Sequence, residues 1–207
     1  MFTLVICLQL AGLSQNTAFD SVMVQSVKQL GSVATPEAYL EHAAHFERIA
    51  ASVAGNWLPL YYAAYCYTNY AFLVQEGDKK DQRLDQAQAN IEKALKLSPN
   101  ESELYVLQAM IYQARISVNP MARGMKYSQK ANEELGEAEK LNPENPRTYF
   151  LRGQNIFGTP KMFGGGKEAA KPQFLKAKEK FSAQLPANPL MPAWGKEAND
   201  GMVKACE

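Results

Sequence analysis

Ala94-Leu95-Lys96-Leu97-Ser98-Pro99-Asn100 and Ala138-Glu139-Lys140-Leu141-Asn142-Pro143-Glu144 read almost as copies of one another, and their reading decides the fold. Each closes an apolar pattern with the 3.6-residue period of a helix. The first pattern runs through Leu84, Ala87, Ile91, Ala94 and Leu95, the second through Tyr127, Ala131, Leu135, Ala138 and Leu141. A proline at the end stops each helix, because its ring clashes with the preceding turn and it has no N–H to donate. Start signals recur along the chain. Thr35-Pro36, Asn119-Pro120, Asn145-Pro146 and Asn188-Pro189 each place a capping side chain before a proline at the first helical position. Asn100 followed by Glu103 has the spacing of a capping box. No alternating strand pattern of useful length interrupts these signals, so the expected fold is all-α.

The two segments sit in a larger repeat. Ala87, Ile91 and Ala94 stand twelve, eight and five residues before Pro99, and Ala131, Leu135 and Ala138 stand at the same offsets before Pro143. After the prolines come Tyr105, Ala109, Tyr112 and Tyr149, Gly153, Ile156; upstream, Leu60, Ala64 and Tyr67 keep that spacing. Small residues let two helices approach to about 8–10 Å while large ones fill the groove between them. In these positions the chain, over residues 57–185, resembles the tetratricopeptide repeat, a helix pair of about 34 residues. The resemblance implies an α-solenoid of about three helix pairs, with residues 36–53 as an N-terminal cover and 189–206 as a terminal cap. The chain also departs from the pattern. Twenty residues separate Tyr67 from Ala87, nineteen separate Tyr112 from Ala131, and fourteen separate Ile156 from Ala170, where a regular repeat has about nine. Polar insertions such as 75–82 are expected to lengthen helices or form surface loops.

Composition narrows the function. Of 207 residues, 22 are Lys or Arg and 21 are Asp or Glu, so a net charge of +1 gives no basic surplus for nucleic acid. Residues 1–14 form an apolar run ending in small residues, shorter than the roughly 20 residues a membrane span needs. It is read as a signal peptide cut near Ser14, although it lacks a charged start. Residues 15–207 are then one helical-repeat domain, exported to the periplasm or secreted, with no membrane span in the mature chain. Cys7 leaves with the signal; Cys66, in an apolar aromatic stretch, reads as a buried thiol rather than half of a bridge to Cys206.

Candidate sites follow from the repeat. The resemblance carries the groove-lining positions onto Tyr61, Tyr65 and Asn69 in the first unit, Glu103, Met110 and Gln113 in the second, and Arg147, Phe150 and Gln154 in the third. Among them Tyr61, Tyr65, Met110 and Phe150 are aromatic or apolar where carboxylate-clamping relatives carry lysine, asparagine and arginine, so an aromatic or apolar groove for a protein or peptide partner is expected. Phe163-Gly164-Gly165-Gly166-Lys167 is the second candidate. It is not a phosphate loop, since Lys161 stands where the first glycine belongs and Glu168 follows the lysine. Either the helix beginning near Glu168 binds an anion with Lys161 and Lys167, or the glycines supply a tight turn with Met162 and Phe163 folded on the core. His42 and His45, three residues apart, have no evident third ligand and no interposed glutamate, so no metal is expected. A nucleophile beside a base and a nucleotide fingerprint are both missing, so neither catalysis nor a cofactor is expected. The sequence thus describes a non-catalytic scaffold that binds a peptide or protein segment. The alternative is a periplasmic small-molecule carrier with a pocket at the glycine turn.

Overall fold

The computed structural model describes residues 18–183 and 188–207; the expected signal peptide lies outside them. Every regular element among these residues is helical. A helix over 18–30 (α1) is followed by α2 (Pro36–Ser52), α3 (Leu58–Leu73), α4 (Gly77–Leu97), α5 (Ser102–Ile116), α6 (Pro120–Leu141), α7 (Pro146–Gly158), α8 (Lys167–Ala183) and α9 (Lys196–Ala205). Three antiparallel pairs, α3–α4, α5–α6 and α7–α8, form the stack, with α2 packed on α3 and α9 on α8. The chain is an all-α helical-repeat protein.

The caps explain the boundaries. Thr35, Asn119 and Asn145 accept hydrogen bonds from the backbone N–H groups of Ala38, Ala122 and Arg147, each followed by proline in the first turn. Two start signals read differently in the structure. The cap of α5 is Glu101, which accepts from the Glu103 N–H, and not Asn100. Asn188-Pro189 begins no helix: the Asn188 carboxamide accepts from the Leu190 N–H, and helix resumes only at Lys196. The expected terminal cap is therefore an irregular segment, 188–195, leading into the ten-residue α9.

The extra residues in the first two units went into helix. Only 74–76 separate α3 from α4 and 117–119 separate α5 from α6, while α4 and α6 reach 21 and 22 residues. In the third unit the insertion is a turn over 159–166 containing a 3-10 segment, Lys161–Phe163.

One continuous core runs through the stack from Met23 to Cys206. The small residues of the repeat pattern lie at its helix crossings, with Ala64, Ala87, Ala94, Ala109, Ala131, Ala138, Ala170 and Ala177 fully buried. Gly153 is the tightest of these crossings: a Cβ there would stand 2.6 Å from the Phe174 ring. Cys66 and Cys206 are separate, buried free thiols, and burial pushes the Cys66 thiol above its usual range.

Candidate functional site: a filled groove and an apolar edge

Of the expected groove residues, Tyr61, Glu103, Arg147 and Phe150 lie toward the N-terminal ends of α3, α5 and α7, Tyr65 and Met110 near the middle of theirs, and Asn69, Gln113 and Gln154 in the C-terminal halves. Tyr61, Glu103, Met110, Arg147 and Phe150 are buried, while Tyr65, Asn69, Gln113 and Gln154 are half-buried. The groove is occupied by the chain itself. The Trp194 indole lies over Tyr65, with ring centres 5.7 Å apart and planes 28° apart, and its N–H donates to the Tyr61 hydroxyl at 2.8 Å. The Tyr62 hydroxyl donates to the Leu190 carbonyl at 2.9 Å, and Arg147 Nη1 donates to the Trp194 carbonyl at 3.2 Å.

An ion pair forms the groove floor. Arg147 donates from Nε and Nη2 to the Glu103 carboxylate at 2.7–3.0 Å, and both side chains are buried. Asn145 Nδ2 donates to Glu103 Oε1 at 2.8 Å and to the Ser102 hydroxyl at 3.1 Å, so the carboxylate is satisfied from two sides. The Asn69 amide donates to the Tyr65 carbonyl within α3, and the Gln113 amide donates to the Leu151 carbonyl across to α7. Those two residues therefore serve the scaffold.

Burial raises the hydroxyl pKa of Tyr61, Tyr62 and Tyr65 above the ordinary tyrosine value. Tyr67 is pushed up to about 12 by burial and then by the charge of Glu47, to which its hydroxyl donates. Tyr149 reaches about 12 through burial and its hydrogen bond to Glu139. A folded-state pKa above the unfolded one stabilises the fold fully below the unfolded value, and that stabilisation is lost as pH rises through the folded value. A spectroscopic titration of the ten tyrosines between about pH 10 and pH 12 is therefore expected to be split. Tyr61, Tyr62 and Tyr65, raised by burial, ionise last and together with loss of helicity. A single ordinary transition in a chain that stays helical would contradict these environments.

The glycine turn is a tight structural device. Gly164 and Gly166 have φ of 83° and 99°, and a Cβ on Gly165 would stand 2.0 Å from the Thr159 carbonyl oxygen. The N–H groups of Gly164, Gly165 and Gly166 donate inward to the carbonyls of Lys161, Pro160 and Ile156. At the start of α8, Glu168 bonds its own N–H and pairs with Lys161 at 3.4 Å, so its carboxyl is held below the usual range. Met162 and Phe163 do not fold back on the core; they are 83% and 66% exposed.

These two belong to a feature that the sequence pattern did not single out. The three connections within helix pairs all lie at one edge of the stack. Lys80 and Asp81 of α4 reach Ser117 and Arg123 beside the second connection. The Asn155 amide ties α7 to the Ser128 carbonyl and the Asn132 side chain of α6. Along this edge stand Phe72, Leu73, Met121, Met125, Phe157, Met162 and Phe163, and Met121 and Met125 are 100% and 83% exposed. The only signal in the sequence was negative. Met121 and Met125 precede Tyr127, where the apolar period of α6 begins, so that pattern does not bury them.

Elsewhere, an open cleft of 490 Å³ between α8 and α9 is lined by Lys178, Lys196, Asp200 and Lys204. A smaller one lies at Gln29, Glu41, His42 and His45. His45 Nε2 is 2.9 Å from the Ser26 hydroxyl, and burial followed by the Arg48 charge lowers its pKa. Among the described residues no three metal-ligating side chains converge, and no helix is long and apolar enough to cross a membrane.

Helix pairs stacked in register, with small residues at each crossing, define a TPR-like helical-repeat protein. A thermophilic TPR protein of Thermus thermophilus shares this fold at 18% identity, with a TM-score of 0.56 over 79% of this chain and 78% of that one. The HusA haemophore from Porphyromonas gingivalis superimposes with a TM-score of 0.83 at 35% identity, covering 93% of this chain and 94% of that chain. The chain belongs to the family of the HusA haemophore. No protein-family model matches it, and no curated protein sequence does so significantly.

Proposed function

We propose that this protein is a haemophore-like carrier, working outside the cytoplasm, that binds haem or a related flat tetrapyrrole as cargo on its apolar edge and catalyses nothing. The observation that carries the site is the exposure there: Met121, Met125, Met162 and Phe163 stand 100%, 83%, 83% and 66% exposed at the ends of two adjacent helix pairs. Soluble proteins seldom leave large apolar side chains grouped in water unless something covers them. Thioether chains are flexible and polarisable, and they settle against flat rings of irregular outline. Haem adds two carboxylates to an apolar disc, and the same edge supplies cations at Lys126, Lys161 and Lys167, all exposed. A mainly apolar surface with a few placed charges is the usual make-up of a small-molecule site. The haemophore relative supports the choice of ligand. The filled state of the concave groove favours this edge over the groove.

The test is an absorbance titration with haem of the native chain and of Met125→Glu/Phe163→Glu. Two carboxylates there remove apolar contact and repel the propionates. Affinity is expected to fall at least about tenfold, equivalent to 1.4 kcal/mol, with the helical signal unchanged. Equal affinity in the variant would remove the edge as the site; a native chain that leaves haem free would remove the carrier reading altogether.

A further inference from the structure

The methionines among the described residues fall into two sets. Met23 and Met110 are buried, and Met191 and Met202 pack against the same core. Met121, Met125 and Met162 belong to no part of that core, and their side chains stand almost wholly in water. Met121 and Met125 are one helical turn apart at the start of α6, ahead of its buried positions Ala131, Leu135 and Ala138. Met162 lies in the 3-10 segment, where backbone bonds hold the turn: Phe163 N–H to the Pro160 carbonyl and Gly164 N–H to the Lys161 carbonyl. Chemistry at these three sulfurs therefore changes the edge and leaves the fold in place.

A thioether in water is open to peroxide, because its sulfur needs neither a base nor an ionised form to react. The two thiols among the described residues, Cys66 and Cys206, are buried. Sulfoxide formation turns a flexible apolar side chain into a polar one. On this edge it removes the apolar contact that a flat ring would rest against.

We propose that Met121, Met125 and Met162 form a reversible oxidation site, at which hydrogen peroxide converts the thioethers to sulfoxides and the edge lets go of its cargo. The proposal rests on the carrier reading of that edge. In each step the peroxide O–O bond breaks and an S–O bond forms. Sulfur is oxidised by two electrons, peroxide is reduced, and its second oxygen leaves as water. A methionine sulfoxide reductase reverses the step with a dithiol, which becomes a disulfide as the oxygen departs as water.

The full chain is treated with hydrogen peroxide for graded times, the peroxide is removed, and each sample is divided between peptide mass spectrometry and haem titration. One added oxygen each is expected on Met121, Met125 and Met162 well before Met23 and Met110, with the helical signal unchanged. Haem affinity should then be at least about tenfold lower, one decade on the affinity scale, and methionine sulfoxide reductase should restore it. Met121→Leu/Met125→Leu/Met162→Leu has no sulfur on the edge, so its affinity, whatever its untreated value, should be the same after treatment. Oxidation that reaches Met23 and Met110 as early as the edge overturns the proposal. So does a native affinity that holds with all three edge sulfurs oxidised, or a leucine variant that loses affinity on treatment. An untreated chain that leaves haem free fails one step earlier and removes the carrier reading, and this proposal with it.

Discussion

Glu103→Ala is expected to destabilise the fold by about 3–5 kcal/mol, because it leaves the Arg147 guanidinium buried without its counter-charge. Both side chains are within a few per cent of complete burial, so water cannot replace the lost carboxylate. Three further hydrogen bonds depend on that carboxylate: Asn145 loses its Glu103 acceptor, the cap it places on α7 loosens, and the Arg147 bond to the Trp194 carbonyl is no longer aimed. Denaturant unfolding measures the loss. The double variant Glu103→Met/Arg147→Met removes both charges together and should recover much of it, since an apolar pair of similar volume often matches a buried ion pair. A single variant within about 1 kcal/mol of native would mean that the pair is solvated in solution and that the groove floor is open.

Phe174→Ala is the second large effect, at about 3–5 kcal/mol. The ring is fully buried in α8 against Gly153, with Phe150 and Phe157 at centroid distances of 6.3 and 6.5 Å. Gly153 has no side chain because Phe174 occupies the space its Cβ would need, so the two positions are coupled. Gly153→Ala alone overpacks the crossing and costs about 1–3 kcal/mol. In the Phe174→Ala background the added methyl enters the vacated space, and the double variant should be more stable than the sum of the single losses implies. Thermal unfolding of the four proteins closes that cycle, and strict additivity would show that the α7–α8 crossing is looser than its geometry implies.

The repeat was legible because each unit repeats one physical requirement: a small residue at a crossing, a large one beside it, a capped start and a proline stop. Ala87, Ile91 and Ala94, with their counterparts before Pro143, specified buried positions without any long-range information. The expanded units were legible in length but not in form, since a polar stretch such as 75–82 suits a longer helix as well as a loop. Asn188-Pro189 shows the limit of local reading. It carries the same start signal as Asn145-Pro146, yet it lies where the chain gains more by laying Leu190 and Trp194 into the groove. The groove residues were found by phase, but their occupant was not, because Tyr61 and Trp194 meet across 133 positions of sequence and neither carries a local mark of the other. The apolar edge was missed for the opposite reason. Met121, Met125 and Met162 stand outside every periodic pattern, and a residue without a pattern draws attention only once its exposure is known.

Carriage of haem on that edge is tested most directly by nuclear magnetic resonance of the chain labelled at its methionine methyl groups and titrated with haem. Met121, Met125 and Met162 stand on the edge, Met110 and Met191 beside the groove, and Met23 in the core. The expected result is that the three edge signals shift or broaden from the first additions while the Met23 signal holds its place. Unmoved edge signals, or a response confined to Met110 and Met191, would contradict the account.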